Sequence, residues 1–248
     1  VSALYLDSTI AWYENDGAAD PSWTAADINT SLGGARDVQV ADLDGDGDPD
    51  IVAIGYNDDV IAWYENDGAA DPSWTASQIA IDNAGQPTSV YVGDMDGDGD
   101  IDILTTSQNN TLTWYENDGA ANPSWTAANI ATNLGMPYNA HAADMDGDGD
   151  LDIILADISQ RPVVWYENDG AADPSWTTST IDYNHTRLYA VYAADMDDDG
   201  DLDIVSADMY DDIIAWYEQD GTGTWSNTSS MTNFTSASCS ISPSLPTG

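Results

Sequence analysis

Trp-Tyr-Glu recurs at Trp12, Trp63, Trp114, Trp165 and Trp216, a strict spacing of 51 residues. A period of that length restricts the chain to architectures in which one supersecondary unit is stacked several times. A second tryptophan follows each of these, at Trp23, Trp74, Trp125, Trp176 and Trp225, so all ten Trp occupy two positions of the repeat. Glu14, Glu65, Glu116, Glu167 and Glu218, the whole glutamate content, occupy one more. Within a unit, short β-rich runs such as Thr88 to Gly93, Asp102 to Thr106, Thr111 to Glu116 and Thr126 to Ala131 are separated by Gly, Asp, Asn and Pro turns. Four strands per repeat and no helical periodicity predict an all-β chain, a β-propeller of five four-stranded blades. Alternation along the third strand sends Trp63 and Tyr64 to opposite faces, each toward a neighbouring blade, which makes the tryptophans packing residues first.

Five units of 51 would need 255 residues, seven more than the 248 present. Two are lost in the shortened turn after Asp220, and the rest fall where Gly248 would meet Val1. Val1 to Leu6 is therefore expected to be the second strand of the first blade. The segment Cys239 to Ser244 is expected to be its first strand, so residues 1–238 read as the propeller and 239–248 as a closing strand and tail. Pro243 and Pro246 make it a poor central strand, although an inner or edge position tolerates them.

Before each second strand stands a loop of the form Asp-x-Asp-x-Asp-Gly-x-x-Asp. Its acids are Asp42, Asp44, Asp46, Asp48 and Asp50; Asp94, Asp96, Asp98, Asp100 and Asp102; Asp144, Asp146, Asp148, Asp150 and Asp152; and Asp195, Asp197, Asp199, Asp201 and Asp203. Carboxylates at positions one, three, five and nine, with the backbone carbonyl of position seven, converge on one point when the sixth residue makes a sharp turn. Such an all-oxygen set fits a hard cation, and Ca²⁺ better than Mg²⁺, because calcium accepts six to eight oxygens at flexible angles. About four Ca²⁺ per chain are expected, one for each loop. An EF-hand or dockerin loop would lead into a helix, whereas Ile51-Val52, Ile103-Leu104, Ile153-Ile154 and Ile204-Val205 follow here as strand. The fourth loop carries Asp198 where the others have Gly45, Gly97 and Gly147, a substitution expected to strain the turn.

The run from Asp94 to Leu104, followed by Thr113-Trp-Tyr-Glu-Asn-Asp-Gly and Trp125, resembles the FG-GAP or VCBS repeat of secreted bacterial and algal proteins and of integrin alpha-subunit propellers. The resemblance spans nearly the whole chain, with loop and aromatic positions in register. It implies a calcium-stabilised propeller, extracellular and adhesive. Some fungal lectins also resemble this family and hold sugars between blades.

Strand order places the acidic loops and the nearly invariant turn Asn66 to Ser73 on one side. The opposite side varies from repeat to repeat and holds all three arginines. Arg36, Tyr56, Tyr138, Arg161, Arg187, Tyr189 and Tyr210 make it a candidate ligand face, with Tyr183 nearby. On the first strand, Gln39, Tyr91, His141 and Tyr192 occupy another variable position, expected to fill space.

The net charge of −42, from 45 acids against three Arg and no Lys, excludes a basic nucleic-acid or lipid-phosphate surface. Of those acids, 21 lie inside the four loops, so the charge is largely a metal inventory. No run of 18 apolar residues predicts membrane insertion, and the start at Val1 is read as following removal of any leader. Catalysis finds no support, because only His141 and His185 are present and every Glu is a repeat equivalent. The chain is read as an extracellular structural or adhesive module, with a lectin as the alternative. Its partners are expected to be further copies of itself, through strand donation or a Cys239 bridge, or an extracellular glycan or protein. Asn29, Asn109, Asn184, Asn227 and Asn233 are candidate glycosylation sites.

Overall fold

A computed structural model describes residues 1–81, 84–159, 162–182, 187–221 and 223–232, in two compact units, Val1–Pro137 and Tyr138–Gly248. The described residues form strands and turns only, and each sheet is a meander whose neighbours in sequence are neighbours in space.

In the first unit, sheet 1 contains β1 (Ser2–Leu4), β2 (Thr9–Asn15) and β3 (Trp23–Asn29). Sheet 2 contains β4 (Ala35–Ala41), β5 (Asp50–Gly55), β6 (Val60–Asn66) and β7 (Trp74–Ile81). Sheet 3 contains β8 (Pro87–Gly93), β9 (Asp102–Ser107), β10 (Thr111–Asn117) and β11 (Trp125–Ala131). In the second unit, sheet 4 contains β12 (Pro137–Ala143), β13 (Asp152–Asp157), β14 (Val163–Asn168) and β15 (Trp176–Asp182). Sheet 5 contains β16 (Leu188–Ala194), β17 (Asp203–Asp208), β18 (Ile213–Gln219) and β19 (Trp225–Thr232). Five antiparallel sheets, one for each repeat, match the blade pattern of a five-bladed propeller. Sheet 1 has three strands among the described residues rather than four. Its β1 pairs with β2 as a second strand should, and the proposed completing strand, Cys239 to Ser244, lies outside the described residues.

Period-two alternation assigns the core. From β5, Ile51 and Ala53 join β6 residues Val60, Ala62 and Tyr64 and Ala35 of β4 in a cluster with Ile10 of sheet 1 and Leu32 of the connection between the two sheets. Val52, Ile54, Ile61 and Trp63 face the other way, into a cluster with Val90, Ile103 and Tyr115 of sheet 3. Trp63 and Tyr64 thus serve different interfaces, as adjacent residues of a strand must. In the second unit Ile154, Ala156, Val163 and Trp165 of sheet 4 pack with Leu188, Val191, Ile204, Ala215 and Tyr217 of sheet 5. Each large aliphatic side chain so buried contributes about 1.5–3 kcal/mol. The paired tryptophans reinforce these interfaces edge-on: Trp12 meets Trp74 with ring centroids 6.3 Å apart, and Trp165 meets Trp225 at 6.1 Å.

Two details recur with the period. The pairing of third and fourth strands carries a register shift in every sheet, the signature of a β-bulge. The turn between second and third strands places Ser8, Asp59, Asn110 and Asp212 at φ of 54°, 57°, 65° and 51°, a left-handed position that Asp and Asn tolerate best.

Candidate metal centres

Each acidic loop joins the first and second strands of its sheet and folds around its first aspartate. Asp42 accepts the Asp46 amide on Oδ1 at 3.1 Å and the Gly47 amide on Oδ2 at 2.9 Å. Asp94, Asp144 and Asp195 repeat the arrangement, with the amides of Gly99, Gly149 and Gly200 each 3.0 Å from the Oδ2 atom. The turn requires left-handed backbone: φ is 71°, 76° and 77° at Gly45, Gly97 and Gly147, and Asp198 adopts 67° at the same position. The expected strain in the fourth loop is therefore present as a non-glycine residue held left-handed.

The ninth aspartate anchors the loop to the sheet. Asp50 is buried and accepts the Leu43 amide at 3.2 Å and the Asn66 amide, at the end of the third strand, at 2.8 Å. Asp102 does the same for Met95 and Asn117, Asp152 for Met145 and Asn168, and Asp203 for Met196 and Gln219. The seventh carboxylates, of Asp48, Asp100, Asp150 and Asp201, lie against the left-handed glycines Gly68, Gly119, Gly170 and Gly221 of the turn between third and fourth strands. The uniform side is thus physically continuous, loop against turn, within each of sheets 2 to 5.

The loops gather ligand oxygens. One carboxylate oxygen from each of Asp42, Asp44 and Asp46 lies within 4.8 Å of the others, and so do oxygens of Asp94, Asp96 and Asp102, of Asp144, Asp146 and Asp148, and of Asp195, Asp197 and Asp199. Packing them together has a cost that the third and ninth positions register. Asp44, Asp96, Asp146 and Asp197 all have raised pKa values, from desolvation first and from neighbouring carboxylates as well. Burial pushes Asp102 and Asp152 up to about 6, against the counteracting backbone amides of Asn117 and Asn168. A hard divalent cation is the group that this donor set fits: its oxygens are ready made, and its charge would offset the repulsion.

On the variable side, the turn 56–58 of sheet 2 is tied to the connection that precedes it. The Asn57 amide donates to Gly33 O at 2.9 Å and the Gly33 amide to Asp58 Oδ2 at 2.6 Å. Arg36 lies 5.3 Å from the Tyr56 ring, which Tyr5 also approaches at 6.3 Å. In the second unit Arg187 sits 4.2 Å from the Tyr210 ring, Tyr138 meets Tyr189 edge-on at 4.6 Å, and His141 lies 4.5 Å from Tyr192. Desolvation lowers the His141 pKa to about 4, so it is a neutral packed ring. Arg161, Tyr183, Asn184, His185 and Asn233 lie outside the described residues, as does Cys239. Among the remaining sequons Asn109 and Asn227 are exposed, whereas Asn29 donates to the Tyr64 hydroxyl at 2.8 Å. Sequence reasoning did not foresee a cleft of about 560 Å³ lined by Asn29, Ser31, Asp58, Tyr64, Ser77 and Gln78.

Three solved structures illustrate the likeness in fold. The SapL1 lectin in complex with alpha methyl fucoside is 20% identical with a TM-score of 0.60, covering 92% of this chain and 75% of its own. A candidate 6-phosphogluconolactonase from Bacteroides fragilis is 14% identical with a TM-score of 0.65, covering 93% and 66%. The V. cholerae biofilm matrix protein Bap1 is 18% identical with a TM-score of 0.51, covering 86% and 31%. At such identities the fold alone is shared. No curated protein matches the chain by sequence. The FG-GAP-like repeat matches four overlapping stretches, residues 1–53, 42–105, 94–155 and 144–206, the first ending on an acidic loop and each of the others running from one acidic loop to the next. With sequence repeat, sheet pattern and loop position in agreement over most of its length, the chain belongs to the FG-GAP-like repeat family.

Proposed function

We propose that the chain is a non-enzymatic, calcium-stabilised extracellular module with a structural or adhesive role. The observation that carries this reading is the fourfold recurrence of one carboxylate loop, wrapped by its own amides and pinned to the sheet by a buried ninth aspartate. About four Ca²⁺ per chain are bound, with affinities on the order of 0.1–1 mM, the range suited to calcium levels outside cells. Asp42, Asp44, Asp46 and Asp50 and their repeat equivalents supply side-chain oxygens, and position seven supplies its carbonyl. Calorimetric titration with calcium, alongside thermal unfolding in calcium and in chelator, tests it. About four sites and a large rise in unfolding temperature are expected, and an unfolding temperature indifferent to chelator contradicts the reading.

Assembly belongs to the same proposal. Sheet 1 stops at three described strands, with the short β1 at its edge, and an edge strand accepts a further strand through its backbone groups. Cys239 to Ser244 fills that place, in its own chain or in a neighbour, where donation would build a filament. Particle size with and without residues 239–248 separates the outcomes, because loss of large particles on truncation is expected only for donation between chains. A second reading, a carbohydrate-binding propeller, draws support from the cleft beside Asn29 and Tyr64 and from the likeness to a lectin. Binding on a glycan array, abolished by Tyr64→Phe with Asn29→Ala or by changes to Tyr56, Tyr138 and Tyr210, would favour it.

A further inference from the structure

Asn117 closes the third strand of sheet 3, and its hydrogen bonds reach two acidic loops at once. Its backbone amide donates to Asp102 Oδ1 at 2.8 Å, the ninth carboxylate of loop 94–102. Its side-chain amide carries two hydrogens, and both are used: one goes to Ile101 O of the same loop at 3.0 Å, the other to Leu43 O of loop 42–50, in the preceding sheet, at 2.9 Å. The side-chain oxygen accepts the Gly119 amide at 3.1 Å, and Asn117 as a whole is 2% exposed. The second unit repeats the link with a longer side chain. Gln219 donates its backbone amide to Asp203 Oδ1 at 3.0 Å and its side-chain amide to Met145 O of loop 144–152 at 2.6 Å. Leu43 and Met145 hold the second position of their loops, and both are buried.

The accepting carbonyls stand among the proposed ligands. Leu43 lies between Asp42 and Asp44, and Ile101 between Asp100 and Asp102. Once Asp42 and Asp44 are held as ligands, the Leu43 peptide between them is held as well, and with it one arm of the Asn117 amide. That group is planar, so fixing one N–H orients the other, on Ile101 O, while the backbone amide of the same residue grips the Asp102 carboxylate. The cost of ordering such a buried, fully bonded group falls on the loop that is filled first, and the second loop then meets a partner already in place. Asn66 and Asn168 carry the same amide and bond the eighth carbonyl of their own loops, Pro49 O at 3.0 Å and Leu151 O at 3.1 Å. A primary amide is suited to this place because it offers two donors on one atom without adding a charge.

We propose that Asn117 and Gln219 are positioning residues shared by neighbouring metal centres, and that they make calcium binding cooperative between loops 42–50 and 94–102 and between loops 144–152 and 195–203. The inference rests on the calcium reading above and deepens it: the sites fill in linked pairs, one pair in each unit, over a narrower range of calcium than four independent loops would need.

The test is a thermodynamic cycle on the full chain, read by hydrogen exchange against calcium concentration. Disabling loop 42–50 with Asp44→Asn and Asp46→Asn should raise the calcium needed to protect residues 94–102 about five- to tenfold, and by reciprocity Asp96→Asn with Asp98→Asn should do the same to residues 42–50. In an Asn117→Ala background either change should shift the other loop by less than about twofold, the additivity of uncoupled sites. Asn117→Gln, the side chain that sheet 5 uses at this position, should keep most of the coupling. A merely structural asparagine would lower stability in chelator and weaken both loops while leaving the cross-loop factor unchanged, and that result overturns the inference. So does the lack of a cross-loop shift with Asn117 in place, which leaves the calcium reading standing. If Asn117→Ala does not fold, Gln219→Ala decides the same question for loops 144–152 and 195–203. Absence of calcium binding by the parent overturns both readings.

Discussion

Sheets 1 and 2 are built from almost the same words and live in different surroundings. Tyr13 and Tyr64 are repeat equivalents, yet Tyr13 is 39% exposed and Tyr64 only 1%. Trp23 is 60% exposed, whereas its equivalent Trp74 packs edge-on against Trp12. Sheet 2 carries an acidic loop between its first two strands and has sheets packed on both faces; sheet 1 has three strands among the described residues, with β1 paired to β2. The difference shows that burial here belongs to the stack and not to the repeat: the same aromatic is core or surface according to its neighbour.

The largest contrast should come from truncating the two tyrosines. Tyr64→Ala is expected to cost about 3–5 kcal/mol, as for other buried aromatics, and Tyr13→Ala no more than about 1 kcal/mol. Equal losses in urea unfolding would mean that sheet 1 is covered in solution as fully as sheet 2. Calcium comes next. At about a hundred times its dissociation constant it should stabilise each loop by about 2.7 kcal/mol. Hydrogen exchange should then slow in residues 42–50 and β5 while β1 and β2 change little, and equal protection of both sheets would erase the distinction.

A pH series in chelator gives a smaller effect of definite sign. Asp102 and Asp152, which burial raises to about 6 from an ordinary 3.8, bind protons more tightly in the folded state. Stability should therefore be greatest below about pH 4 as far as these two groups are concerned and should fall as pH rises toward about 6, by about 1–2 kcal/mol after solvent screening. Saturating calcium should flatten that slope, because the carboxylates are then needed ionised. Smallest of all is the turn between third and fourth strands. Gly17 and Gly68 have φ of 71° and 67°, so alanine costs about 1 kcal/mol at either. At Gly68 the new methyl also meets the Asp48 carboxylate, while nothing stands near Gly17. Thermal unfolding should show Gly68→Ala the worse of the two, with the gap widened in calcium if Asp48 is held in place by the loop.

Much of this architecture was legible beforehand for a physical reason: the repeat supplies several readings of each element. The strands expected at 88–93, 102–106, 111–116 and 126–131 are found within a residue or so at either end. The opposed destinations of Trp63 and Tyr64 follow from alternation alone. Less was legible where contact depends on register between segments. The hydrogen bond from the Asn117 side-chain amide to the Leu43 carbonyl, 74 residues away, leaves no trace in the repeat pattern. The sequon at Asn29 looked like an exposed acceptor, but a partner 35 residues away, the Tyr64 hydroxyl, engages its amide. The bulge between third and fourth strands also escaped the pattern, since one unpaired residue leaves the 51-residue period unchanged.

The meander order of every sheet means that each strand ladder closes within a single repeat. Chain closure during folding is therefore short-range, and any repeat can serve as the starting point, with its neighbours added by packing. The near-identity of the repeats turns that freedom into a hazard, because a third strand from one unit carries almost the same pairing code as that from another, and partners can be exchanged within or between chains. The same bond ties Asn57 to Gly33 at one junction and Asn109 to Gly85 at the next, so these ties hold each junction together without marking which repeat belongs beside which.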